Sequence, residues 1–108
     1  MNRDDRIRVL QMIDACEEAL QIAETHSRIT LLAVMKDIEI IGEAAAKVTK
    51  ATQLESPEIP WAEIVAMRNR LIHGYFDINS DTVWQTISKD IPPLLTHLHS
   101  LLTLHLES

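Results

Sequence analysis

Cysteine, glycine and aromatic residues are scarce in this sequence, and each scarcity removes a class of protein. A single cysteine, Cys16, excludes an internal disulfide scaffold and a cysteine-rich metal centre, and it fits a reducing compartment, the cytoplasm. Two glycines and four prolines leave few places where the backbone is forced out of regular structure, and three of the prolines fall between periodic segments. No apolar run approaches the length that spans a bilayer. Asn2-Arg3-Asp4-Asp5-Arg6 leads straight into an amphipathic pattern, so neither a membrane segment nor a secretory leader is expected. A surplus of cations is missing too. The net charge of −6 excludes broad adhesion to nucleic acid, while leaving room for a small basic site on an acidic surface.

What is present is helix former. The chain has 108 residues, 46% of them hydrophobic, and is rich in Ala, Leu, Ile, Glu and Gln. One helical domain over residues 1–108 is expected, as an all-α antiparallel up-and-down bundle of four to five helices. So small a core gains from burying more surface in an oligomer.

The periodicity predicts a first helix over about Asp4 to Glu24. Val9, Met12, Ile13, Cys16, Ala19, Leu20 and Ala23 share a face, with Gln11, Asp14, Glu18 and Gln21 opposite and Leu10 an outlier. Cys16 in that stripe reads as a small core residue. Glu17, at the margin, is either solvated or faces a second subunit. A second helix, about Ile29 to Ala51, carries Leu31, Val34, Met35, Ile38, Ile41, Gly42, Ala45 and Ala46 on one face. Gly42 costs helix propensity there, so another helix should approach closely at that point. Gln53 to Ile59 reads as a polar connector, and Pro60 opens a third helix that points Trp61, Ile64, Met67 and Leu71 inward and ends at His73 before Gly74. Tyr75 to Asn79 should turn. A fourth helix contains Val83, Trp84 and Ile87, Pro92-Pro93 breaks or kinks the chain, and a last helix uses Leu94, Leu95, Leu98, Leu101 and Leu102.

His97, His99 and His105 show no spacing of three or four, so they do not form a helical metal pair; with His26 they read as boundary histidines. Glu39 and Glu43 are one turn apart. They are either a solvated helix edge or a functional pair, with Glu43 the better candidate to contact the arginines described next.

Polar chemistry concentrates in Met67-Arg68-Asn69-Arg70-Leu71-Ile72-His73-Gly74-Tyr75. Asn69 and His73 are four residues apart and share a helix face, whereas Arg68 points about 140° from His73. The two meet only if the arginine reaches around, the helix loosens near Gly74, or a second chain contributes. Arg68 and Arg70 supply positive charge suited to phosphate, and His73 suits proton transfer at neutral pH. Together these are parts for RNA phosphodiester cleavage. One histidine per chain is a poor site; a symmetric dimer would bring two segments into one cleft. The plainer reading is that these cations complement the dipole at a helix C-terminus.

Arg68 to Tyr75 resembles the motif of HepT-type HEPN toxins: Arg, four residues, His, any residue, Tyr. Trp61, Ile64 and Met67, the Ile40-Ile41-Gly42-Glu43-Ala44 block and Phe76-Asp77-Ile78 resemble that family too. The resemblance runs from Arg6 to about Leu98, and the last helix is the least similar part. It implies a HEPN-like bundle that homodimerises with its two motifs facing, and a metal-independent, cofactor-free ribonuclease toxin acting on RNA, tRNA in some members. Arg68 and His73 would then be the catalytic pair and Asn69 the polar residue beside them; Arg70 and Glu43, by charge and position alone, are the residues expected to contact substrate. Tyr75 resembles the tyrosine that an MntA-type nucleotidyltransferase antitoxin modifies with AMP, which would set negative charge and bulk beside an RNA cleft. Tyr75 could also simply pack its ring, and Asn69 could bridge locally. The competing functional class is a noncatalytic HEPN subunit that binds substrate or partner for a nucleotidyltransferase.

Overall fold

The computed structural model describes residues 1–25, 28–73 and 80–106, with Thr25, Arg28, His73 and Leu106 described in backbone only. The elements in order are α1 (Arg3–Ile22), a 3-10 turn (Ala23–Thr25), α2 (Arg28–Lys47), α3 (Lys50–Glu55), α4 (Trp61–His73), α5 (Ser80–Gln85), a π turn (Thr86–Asp90) and α6 (Ile91–Leu106). No strand occurs among the described residues.

α2 is central, packed on α1 along one side and α4 along the other, and α6 closes against α1. The 20 residues of α1 and of α2 are each roughly 30 Å long, and the few residues joining them cannot span that distance, so the two run antiparallel. The apolar stripe expected on α1 is the buried one: Val9, Met12, Cys16 and Ala19 are all fully buried, and Leu10 stays 39% exposed. Val34, Ile41, Ala45, Leu71, Val83, Ile87, Leu98 and Leu101 join them in one continuous core. No described helix is long and apolar enough to cross a membrane.

Four expectations need correction. α2 stops at Lys47, short of Ala51, because the carboxylate of Asp5 on α1 captures the chain just beyond. Thr49 donates to it through its backbone N–H (3.0 Å) and its hydroxyl (2.5 Å), and Thr52 through its hydroxyl (2.6 Å). Thr49 also caps α3, a helix absent from the sequence reading, by accepting from the Thr52 N–H. Burial alone would raise the Asp5 pKa, but these three hydrogen bonds and the N-terminal ammonium outweigh it and hold the carboxyl below its ordinary value.

The second correction concerns the polar connector. It is α3 followed by a tightly held turn, in which Ile59 is core and both Ile59 N–H and the Trp61 indole donate to the Ser56 carbonyl (each 3.1 Å). Third, Ala46 is exposed, while Asp37, Ala44 and Val48 are buried, because a helix with neighbours on both sides buries a broader face than one stripe. Fourth, of the break or kink expected at Pro92-Pro93, the break does not occur. Helical structure runs unbroken from Ser80, and the π turn just before the prolines sends the Ile91 N–H to the Thr86 carbonyl, five residues back. That wider turn makes room for rings that would otherwise meet the preceding carbonyls.

Candidate active site

The site is built where α4 crosses α2. Gly42 is the contact point: a Cβ there would lie 2.2 Å from the Arg68 Cβ and 2.9 Å from its Cγ. Any side chain at position 42 would occupy the space of the arginine stem. The close approach expected from a mid-helix glycine is therefore real, and what it admits is Arg68.

With its stem planted on the α2 backbone, Arg68 is half-buried, and its guanidinium donates through Nη1 to Oδ1 of Asn69 at 3.0 Å. Asn69 is thus the residue that orients the arginine. The remaining guanidinium N–H groups are suited to a phosphate. His73 is the last described residue of the same helix. Its side chain, with Gly74, Tyr75 and the turn through Asn79, lies outside the described residues, as does His26.

The two other expected contributors are placed differently. Arg70 is exposed and borders a separate cleft of about 590 Å3 between α4 and the α5–α6 run, floored by Ile64, Met67, Ile91 and Leu94. The Glu43 carboxylate pairs with Lys47 at 3.6 Å on an exposed helix face, and Glu39 pairs with Lys36 at 3.5 Å. Such surface pairs add little stability.

Cys16 is no nucleophile: burial, then the charges of Asp37 and Glu17, push its thiol up to about 12. The α6 histidines each face a carboxylate. His97 meets Glu58 and His99 meets Glu17, both at 3.9 Å, while His105 bonds Glu55 and accepts from the Met1 ammonium at 3.1 Å. Among the described residues, no three acidic, cysteine or histidine side chains converge as metal ligands.

Sequence reading missed Asp37, which is only 2% exposed. The signal was there: Asp37, Ile41, Ala44 and Val48 stand at i, i+4, i+7 and i+11, a second buried stripe with a carboxylate in it.

A helical bundle with an Arg, four-residue, His motif on a packed helix is the pattern of a HEPN-type domain. The chain belongs to the Ribonuclease HepT-like family, whose profile matches residues 7–101, somewhat further into α6 than the resemblance from Arg6 to Leu98. Similar proteins include one of Thermococcus cleftensis named "Probable ribonuclease HepT", 43% identical over 60% of this chain and 59% of its own length. A protein of Caldanaerobacter subterraneus subsp. tengcongensis, named provisionally as an RNase, is 40% identical over 65% of this chain and 62% of its own. One of Methanocaldococcus jannaschii, named in the same way, is 42% identical over 57% and 53%. The chain thus spans between half and two-thirds of the length of these relatives. No solved structure matches it significantly.

Proposed function

We propose that this protein is a metal-independent ribonuclease and the toxin of a toxin–antitoxin pair, cleaving RNA, with tRNA one candidate class, at a site composed from two subunits. The observation that carries the reading is the placement of Arg68: stem against Gly42, guanidinium held by Asn69, on the helix that also carries His73. In the reaction the RNA 2′-hydroxyl loses its proton and attacks the adjacent phosphorus. The bond to the 5′-oxygen breaks as that oxygen gains a proton, leaving a cyclic phosphate and a 5′-hydroxyl. Arg68 stabilises the charge that builds on the phosphorane, and the His73 side chains of two subunits serve as base and acid. Arg70 adds positive charge along the outer face of α4. Glu43, one residue from Gly42, is the candidate to tune the arginines.

Two residues past His73, the Tyr75 hydroxyl is the proposed acceptor of AMP from ATP held by an MntA-type nucleotidyltransferase partner: the tyrosyl oxygen, losing its proton, bonds to the α-phosphorus as pyrophosphate leaves, which places a phosphodiester anion at the RNA cleft. A nucleotidyltransferase reading frame beside this one, and a mass shift of whole AMP units lost in Tyr75→Phe, would support that pairing.

The test of the catalytic reading is cleavage of total RNA in EDTA by the purified protein. His73→Ala and Arg68→Ala should each lower the rate by a factor of about 10² to 10³ or more while leaving the helical spectrum intact. Undiminished cleavage by His73→Ala would remove that residue from the mechanism. Absence of any RNase activity, with nucleotidyltransferase binding retained, would favour the noncatalytic subunit.

A further inference from the structure

A second site lies on the other side of α2. Taking Gly42 as the origin, Asp37, Ile40, Glu43, Ala44 and Lys47 centre on a direction roughly 160° away, so this face looks toward α1 while the Gly42 face looks toward α4. Between α1 and α2 it forms an open groove with a volume of about 350 Å3.

The groove is polarised. Glu18 on α1 and Asp37 on α2 line one end, with Asp14 one turn from Glu18; Arg8 and Lys47 line the other. The charged ends are roughly 15 Å apart along each helix. Ala15, Ile40 and Ala44 make an apolar stretch between them. The basic end is already matched in part, since Arg8 donates to Gln11 at 3.3 Å and Lys47 pairs with Glu43. At the acidic end the Asp37 and Glu18 carboxyls hydrogen-bond each other, and one oxygen is left over. Asp37 is 2% exposed and its Oδ2, fully buried, has no hydrogen-bond partner among the described residues. A buried carboxylate oxygen left unpaired is costly, and such groups in folded proteins ordinarily find a donor.

We propose that this groove is a binding site for a guanidinium group, held between the carboxylates of Asp37 and Glu18. Two carboxylates on facing helices match the planar, multi-donor fork of a guanidinium, which is also weakly hydrated and so enters beside an apolar floor more readily than an ammonium. The alanines leave width for a slender alkyl stem. An anionic group at the far end of that stem would meet Arg8 and Lys47.

Without a ligand, burial together with the charge and hydrogen bond of Glu18 pushes the Asp37 carboxyl up to about 7, so near neutral pH it carries a proton part of the time. The bound cation replaces that proton: Asp37 ionises, its oxygens accept from the guanidinium, and the proton passes to buffer. Binding should release a fraction of a proton at pH 7 and none well above it.

The experiment is calorimetric titration of the full chain at pH 7, in two buffers of different ionisation enthalpy. One probe is L-arginine and the other N-acetyl-L-arginine N-methylamide, which has the same head without the carboxylate. At least one should bind saturably with proton release, and L-lysine should bind several-fold more weakly. Arginine alone binding identifies a free amino acid that also uses the Arg8–Lys47 end; equal binding of both identifies a protein side chain as the source. Asp37→Asn and the surface variant Glu18→Gln should each weaken binding tenfold or more. The proposal falls if neither probe saturates below tens of millimolar, or if both variants bind as the unaltered protein does.

Discussion

Asp37 and Asp5 are both nearly inaccessible carboxylates, yet pH acts on them with opposite sign. Burial, then the charge and the hydrogen bond of Glu18, raise the folded-state pKa of Asp37 to about 7. A group raised on folding stabilises the fold fully below its unfolded pKa, and that contribution is lost as pH rises through the folded value. Asp5 is lowered, so its contribution is present above its unfolded pKa and lost as pH falls through the folded one. Asp37→Asn keeps the shape and removes the charge. Urea unfolding should show it more stable than the unaltered protein at pH 8, by about 1–2 kcal/mol, with the gain shrinking as pH falls through 7 toward the unfolded value of 3.8. A loss of stability at pH 8 would mean that the ionised carboxylate is satisfied without a ligand.

Among the elements, the α2–α4 crossing gives the clearest test because general propensity and local geometry disagree about it. Glycine to alanine in a helix interior ordinarily stabilises by roughly 0.5–1 kcal/mol. At Gly42 the added methyl would fall 2.2 Å from the Arg68 Cβ, which belongs to the rigid base of the side chain. Gly42→Ala should therefore destabilise by about 1–3 kcal/mol in thermal or urea unfolding, and RNA cleavage should fall with it as Arg68 is displaced. A stabilised, fully active variant would mean that α4 is free to shift. This crossing was legible in the sequence, since a glycine inside an apolar stripe has few other uses, and so were the periodic faces of α1, α4 and α6. The break after Lys47 was not legible. It depends on Asp5 meeting Thr49 and Thr52 across 44 and 47 residues, and no local pattern encodes a partner that distant. The uninterrupted run through Pro92 was hidden for another reason: proline signals the loss of an N–H, but not the π turn that accommodates it. Within the site, residue types and spacing singled out Arg68 and Asn69. Their mutual hydrogen bond required the packed arginine stem to fix one rotamer.

At the scale of the whole molecule, the two-subunit site proposed above requires an uncovered apolar surface near α4. Ile72, beside His73, is 43% exposed; Leu32 is 46% and Ile29 80% exposed on the N-terminal half of α2. Leu32, Met35 and Leu71 line one shallow hollow, so that half of α2 adjoins the C-terminal end of α4. Leu71 and Ile72 stand on the last described turn of α4, the turn that also carries His73. Burying them against a second copy would remove water from the cleft as it brings two His73 residues together, and the 12.3 kDa chain has a small core that would gain from the added burial. Ile72→Asp separates the two consequences. In a monomer an exposed position tolerates the change within about 0.5 kcal/mol, whereas across a subunit contact an unpaired aspartate loses solvation and costs several times more. Sedimentation equilibrium should show the unaltered protein as a dimer and Ile72→Asp as a monomer with an unchanged helical spectrum, and RNA cleavage should disappear with the dimer. A monomeric variant that still cleaves at the full rate would show that one subunit holds a complete site. A variant that stays dimeric would move the contact to another face, with the exposed leucines of α1 and α6, Leu10 and Leu104, next in line.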